Sequence, residues 1–198
     1  MAFRFIEHGP LIDRELELVQ PHERWIDATL QTCRHALCAG DERCENTTRG
    51  SLLDFLQAAP RGRQDGDGKS RVPSYSFWMR LLPQYEPLVP IAGGCSFRVG
   101  HSRDIQMYFG HVGYHVYPAA RGNHYAERAV RLLFPLARQH GIATLWITTN
   151  PDNLASRRTC ERLGGQLVEV IDVPPTNVLH QRGEVRKCRY RIDLQAKG

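Results

Sequence analysis

Residues 110–165 read GHVGYHVYPAARGNHYAERAVRLLFPLARQHGIATLWITTNPDNLASRRTCERLGG, and this stretch decides the fold. An apolar run ending at Pro118 predicts a strand, and Arg121 to His124 predict a turn. Tyr125, Ala126, Ala129, Val130, Leu133 and Ala137 then recur at helical spacing up to a stop at Gly141. Pro135 lacks an N–H and is expected to kink or shorten that helix. Ala143–Thr149 reads as a buried strand and Ala155–Leu163 as a short helix, with Asn153 in capping position. The turn carries the chemistry. It joins a strand to a helix start, where the first N–H groups lack intrahelical partners and the dipole favours an anion. A diphosphate-bearing ligand suits such a place.

Working outward, Phe3–Glu7 alternates and predicts a first strand, and residues 12–20 predict a short helix stopped by Pro21. Trp25 to Ala39 carries apolar residues at helical spacing, with Gly40 as the stop. Ser51 is expected to N-cap a further amphipathic helix that ends before Pro60. Residues 61–71 form a polar, glycine-rich loop. Its Gly68-Lys69-Ser70 lacks the first glycine, the preceding strand and the following helix of a phosphate-binding loop. Val72–Leu82, Leu88–Val99 (interrupted at Gly93-Gly94) and Ile105–Tyr117 predict three strands. Leu167–Val173 and Val185–Leu194 predict an antiparallel pair that closes the sheet.

Composition excludes several classes. With 198 residues, 24% charged and 41% hydrophobic, the chain predicts one soluble domain, residues 1–198. Within it, 1–71 would hold the first strand, the acceptor-side helices and the polar loop, and 72–198 the sheet core. No apolar run approaches the roughly 20 residues of a membrane helix, and the N-terminus does not resemble a signal peptide. A cytoplasmic location is expected. The six cysteines contain no Cys-x-x-Cys pair and are expected to remain thiols; Cys33, His35, Cys38 and Cys44 match no zinc spacing. The net charge of +5 is spread along the chain, which argues against a nucleic-acid surface.

The motifs resemble the GNAT acetyltransferase superfamily over residues 90–194. Its cofactor loop reads Arg/Gln-x-x-Gly-x-Gly/Ala. Arg121, Gly122, Tyr125 and Ala126 fit that loop, while His124 stands where its central glycine usually does. Asn153-Leu-Ala-Ser156 with Glu161-Arg-Leu-Gly164 resembles the superfamily's second cofactor segment. The run Gly110–Pro118, with Arg189-Tyr-Arg-Ile-Asp193, looks most like a poorly characterised subgroup of predicted bacterial acetyltransferases.

The resemblance implies an α/β fold: a twisted mixed sheet of six to seven strands flanked by helices, splayed between the fourth and fifth strands. It implies acetyl-CoA as cofactor and acetyl transfer to an amine, a small molecule or a protein, by direct attack in a ternary complex. It also implies that the backbone of His115 and Val116 pairs with the pantetheine arm, and that the amides of Arg121, Gly122, Asn123, His124, Tyr125 and Ala126 hold the pyrophosphate. Asn153 and Ser156 would contact the arm, with helix capping as the competing role for Asn153. Arg157 and Arg158 would either reach a phosphate or face solvent. Many members place a tyrosine acid four residues before the glycine that ends this helix; here that position is Cys160, a candidate proton donor through its thiol, with plain burial as the competing role. His111 and His115 are candidate bases, with Tyr114 and Tyr117 as alternatives, since histidine titrates in the needed range. The alternative reading is a coenzyme A-binding protein with little catalysis. A homodimer is the commonest assembly for such a chain.

Overall fold

A computed structural model of the protein describes residues 5–58, 63–64 and 71–195. The architecture is mixed α/β. Five antiparallel strands form one sheet in the order β1 (Leu11–Asp13), β2 (Leu16–Val19), β5 (Ser74–Leu81), β6 (Ile91–Arg98) and β7 (Val112–Val116). Three more form a second antiparallel ladder, β8 (Thr144–Thr149), β10 (Arg186–Asp193) and β9 (Gln166–Asp172), with β10 in the middle. The two-residue strands β3 (Arg63–Gln64) and β4 (Arg71–Val72) pair with each other; Gly68-Lys69-Ser70 lies outside the described residues.

Helix α3 (Tyr125–Gln139) connects β7 to β8 and buries Tyr125, Ala129, Val130, Leu133, Leu136 and Ala137 against the sheets. It runs through Pro135 without being shortened. One lost hydrogen bond is outweighed because Leu133, Leu136 and Ala137 around it are no more than 1% exposed. Helices α1 (Ile26–Cys38) and α2 (Arg49–Ala58) form a separate apolar cluster in which Ile26 meets Val19, Trp78 and Ile91. Helix α4 (Leu154–Arg162) starts at Asn153, whose side chain accepts from Ser156 N at 3.1 Å. A short α5 (Val178–Gln181) lies in the β9–β10 connection.

Several sequence expectations change. Residues 12–20 form the β1–β2 hairpin rather than a helix. Leu16 and Leu18 point inward at 0% and 4% exposure, a period of two, and Arg14 takes the left-handed turn position at φ 52°. Residues 5–7 carry no strand; Phe3 and Arg4 lie outside the described residues. Ser51 is not the cap of α2. Thr48 and Ser51 exchange bonds reciprocally, Ser51 N to Thr48 Oγ1 at 3.1 Å and Thr48 N to Ser51 Oγ at 2.9 Å, a capping box one turn long. Strand β6 passes through Gly93-Gly94 unbroken. The glycines are needed because a Cβ at Gly93 would collide with the His115 carbonyl, and one at Gly94 would sit 2.8 Å from the His115 ring.

The region Ile105–Tyr117 is not one strand. Ile105–Phe109 is a π-helical turn closed by Gly110 at φ 69°, and only Val112–Val116 is extended. A Cβ at Gly110 would come within 3.0 Å of Thr148 N, so glycine lets this turn press against β8.

Candidate active site

Strands β7 and β8 touch at one end only. His111 N donates to Trp146 O at 2.7 Å, and Trp146 N donates back to His111 Nδ1 at 2.9 Å. Beyond that pair no ladder joins the strands, and a cavity of about 540 Å³ opens between Gly113 and Tyr114 on one side and Ile147 to Thr149 on the other. The β6–β7 register decides which groups face the gap. Tyr117 N bonds Ala92 O at 2.8 Å and Arg98 N bonds His111 O at 2.7 Å, so the odd-numbered residues of β7 spend their peptide groups on β6. Tyr114 and Val116 turn theirs into the gap. Of the two residues expected to pair with a cofactor arm, Val116 has its peptide group on the gap beside that of Tyr114, while the His115 peptide belongs to its pair with Gly94. The Val116 carbonyl accepts from Arg121 Nε at 3.3 Å.

A second cavity, about 650 Å³, continues from this gap to the start of α3. His115, Val116, Arg121, Gly122, His124, Tyr125, Ala126, Asn153 and Ser156 all line it, so residues far apart in the sequence converge. Asn123 does not; its Nδ2 donates to Ala120 O at 3.3 Å and closes the turn. His124 is in the left-handed region, φ 57° and ψ 22°, the conformation for which a glycine is ordinarily chosen. Its ring lies 3.9 Å from Glu127 and makes no side-chain cap bond, which leaves the leading N–H groups of α3 without a capping side chain.

Arg43, Arg158 and Arg162 complete the wall. Arg43 is bonded to Asp41, which also lies 3.9 Å from Arg121; the Arg43 guanidinium holds the Asp41 carboxyl below its usual range. Arg157 turns away to the Tyr190 hydroxyl at 3.2 Å.

Comparison with known proteins agrees with this geometry. The model for the acetyltransferase (GNAT) domain matches residues 39–166. The chain belongs to the GNAT acetyltransferase family. Its fold is that of the microcin C7 self-immunity acetyltransferase MccE, solved with acetyl-CoA and AMP, at 15% identity and TM-score 0.64, covering 91% of this chain and 93% of that one. It is equally that of RimL, the ribosomal L7/L12 alpha-N-protein acetyltransferase solved with coenzyme A, at 15% identity and TM-score 0.64, covering 93% and 98%. A GNAT-family acetyltransferase from Bacillus anthracis matches at 13% identity and TM-score 0.63, covering 95% and 100%. No curated protein matches the sequence.

Within this GNAT frame the proton-handling candidates separate. His111 is 1% exposed and bonded at both ring nitrogens, Nδ1 by Trp146 N and Nε2 to Gly100 O at 3.1 Å. Burial pushes it down to about 4, so it is a neutral strut and lines neither the gap nor the α3 cavity. Cys160 is 0% exposed, lines none of these cavities, and burial pushes its thiol up to about 12. His115 is exposed where the α3 cavity meets a third one, about 330 Å³, between the sheet and helices α1 and α2. Tyr114 lines all three, with its hydroxyl 2.9 Å from Ser156 Oγ. Burial raises its phenol far above the usual range, so it stays protonated. Tyr117 faces the α1 side, where its hydroxyl is 3.5 Å from Cys33 Sγ.

Sequence reasoning missed Arg43 and Arg98. The first comes from the loop after α1, remote from every motif. The second lies on β6, where a lone arginine in an apolar strand was the available signal.

Proposed function

We propose that this GNAT protein moves an acetyl group from acetyl-CoA to an amine acceptor by direct attack in a ternary complex. The observation that carries the reading is the open edge of β7: the peptide groups of Tyr114 and Val116 face a gap that leads to the uncapped start of α3. An extended arm with amide groups would pair along that edge as a strand does. A pyrophosphate would lie on the N–H groups from Gly122 to Ala126, with Arg43, Arg121, Arg158 and Arg162 around it. The residues present therefore fit the cofactor. Acetyl-CoA supplies an activated thioester when bound.

In this chain, the Val116 or Tyr114 N–H would polarise the acetyl carbonyl as negative charge develops. The amine nitrogen would bond to the carbonyl carbon as the carbon–sulfur bond breaks, with coenzyme A as the leaving thiolate. His115 takes the proton lost by the amine, and Tyr114 gives one to the sulfur. The catalytic unit spans residues 1–198, and helices α1 and α2, in the N-terminal third, wall the acceptor.

The burial of Cys160 at the position of the family tyrosine favours the second reading, a coenzyme A-binding protein with little turnover. One experiment separates the two. Acetyl-CoA at about 100 times its dissociation constant is expected to add roughly 2.7 kcal/mol of stability, with NAD and ATP as inert controls. Release of free thiol with an amine present then supports catalysis. Binding without release selects the second reading, and no stabilisation by acetyl-CoA overturns both.

A further inference from the structure

The acceptor side of the gap is cationic and partly aromatic. In the cavity between the sheet and helices α1 and α2, Phe55 and Trp78 stack at 6.3 Å with an interplanar angle of 20°. Arg98 lines this cavity and also the one between β7 and β8, so it stands where the two meet. Its seat is built. The guanidinium lies beside Gly113, where a Cβ would meet both terminal nitrogens at an ordinary contact distance of 3.7 Å. Nη1 donates to the Phe109 and Gly110 carbonyls at 3.3 and 3.2 Å.

Across the cavity between β7 and β8, Lys187 is 5% exposed, bonded to Asn150 Oδ1 at 2.7 Å and to Glu184. Arg182 is exposed on the same cavity and pairs with no carboxylate among the described residues. Among the described residues, the charged side chains lining the two cavities are Arg98, Arg182, Lys187 and Glu184, and that carboxylate is bonded to Lys187.

We propose that the acceptor is an amine carrying both a flat apolar group and a compact anion, a carboxylate or a phosphate. The apolar group lies on Phe55 and Trp78, the anion meets Arg98 and Arg182, and the amine faces His115. The assignment rests on the acetyltransferase reading above. A guanidinium fork matches either oxyanion, and its placement against backbone carbonyls lowers the entropy of holding one. Polycationic amines would instead meet like charge, which excludes them.

The test uses the full-length protein and a thiol-release assay with acetyl-CoA. L-phenylalanine is compared with L-phenylalaninamide, O-phosphoethanolamine with ethanolamine, and spermidine serves as the polycation. Binding of each compound is measured in parallel by calorimetry, with and without coenzyme A. In at least one pair the anionic member is expected to exceed its neutral partner by about tenfold or more in kcat/KM or affinity, and which pair does so identifies carboxylate or phosphate. Arg98→Gln narrows that ratio mainly through KM. Arg182→Ala, at an exposed position, narrows it in the same direction and serves if Arg98→Gln does not fold. Equal or better use of both neutral partners or of spermidine overturns the proposal, as does the absence of any anion preference in binding. If acetyl-CoA itself does not bind, the acetyltransferase reading falls, and the calorimetric acid-to-amide comparison still decides this one.

Discussion

The Tyr114 hydroxyl lies 4.0 Å from the Cys160 sulfur, so a phenol carried by strand β7 reaches the turn of α4 that holds Cys160. Under the proposed mechanism the proton donor therefore stands on β7 rather than on α4. Tyr114→Phe is expected to lower kcat by about 100-fold, the lower end of what a positioned acid contributes, with KM for acetyl-CoA changed by less than about threefold. Cys160→Ala should leave kcat within about threefold and cost about 1 kcal/mol of stability, because it removes only buried packing. Steady-state kinetics on the two variants check both; a larger kcat loss for the cysteine variant would reverse the assignment.

His111 makes the stability of the β7–β8 contact depend on pH. Its folded value near 4 lies below the ordinary 6.5 because the ring is buried, so between those values the unfolded chain binds a proton that the folded one does not. Stability is therefore full above about pH 6.5 and falls as the pH drops toward 4, by up to about 3 kcal/mol. Urea unfolding at pH 7, 5.5 and 4.5 measures the slope. In His111→Ala the stability at pH 7 drops by about 2–4 kcal/mol and this acid limb disappears.

Arg128 ties α3 to the β1–β2 hairpin, with Nε 2.5 Å from Asp13 Oδ2 and Nη1 2.6 Å from Glu15 Oε1. The Arg128 bond holds the Glu15 carboxyl down at about 2. A depressed carboxylate contributes stability above its unfolded value of 4.5, and that contribution is lost as the pH falls from there through 2. Glu15→Gln should cost about 1–2 kcal/mol at pH 7, discounted for partial solvation, and much less at pH 2. Denaturant titrations at the two pH values give the comparison.

His124 occupies a left-handed backbone position. His124→Gly should raise stability by about 0.5–1 kcal/mol, the relief of the αL penalty less the entropy of glycine. Acetyl-CoA affinity should stay within about threefold, since backbone N–H groups rather than the ring are proposed to hold the pyrophosphate. Thermal unfolding with and without cofactor reads both numbers; a large loss of affinity would show that the imidazole itself contacts phosphate.

The sequence by itself determined the strand–turn–helix order around Arg121 to His124, though not where its strand begins, the cap at Asn153 and the β9–β10 pair. Each rests on local periodicity, or on a capping side chain a few residues from the groups it serves, so the chemistry is legible within one window. Only the tertiary structure decided the rest. Residues 12–20 carry leucines that suit a helix or a strand, and it is pairing with β5, more than 50 residues away, that makes them a hairpin. His111 and His115 have the same spacing as two neighbours on one strand face, yet the π-turn and Gly110 send the first into a buried bridge to β8 while the second remains exposed. Which peptide groups of β7 are open depends on its register with β6, and the meeting of Tyr114 with α4 depends on how a crossover helix returns the chain. These are long-range contacts, fixed by packing and pairing geometry, and a single stretch of residues carries no record of them.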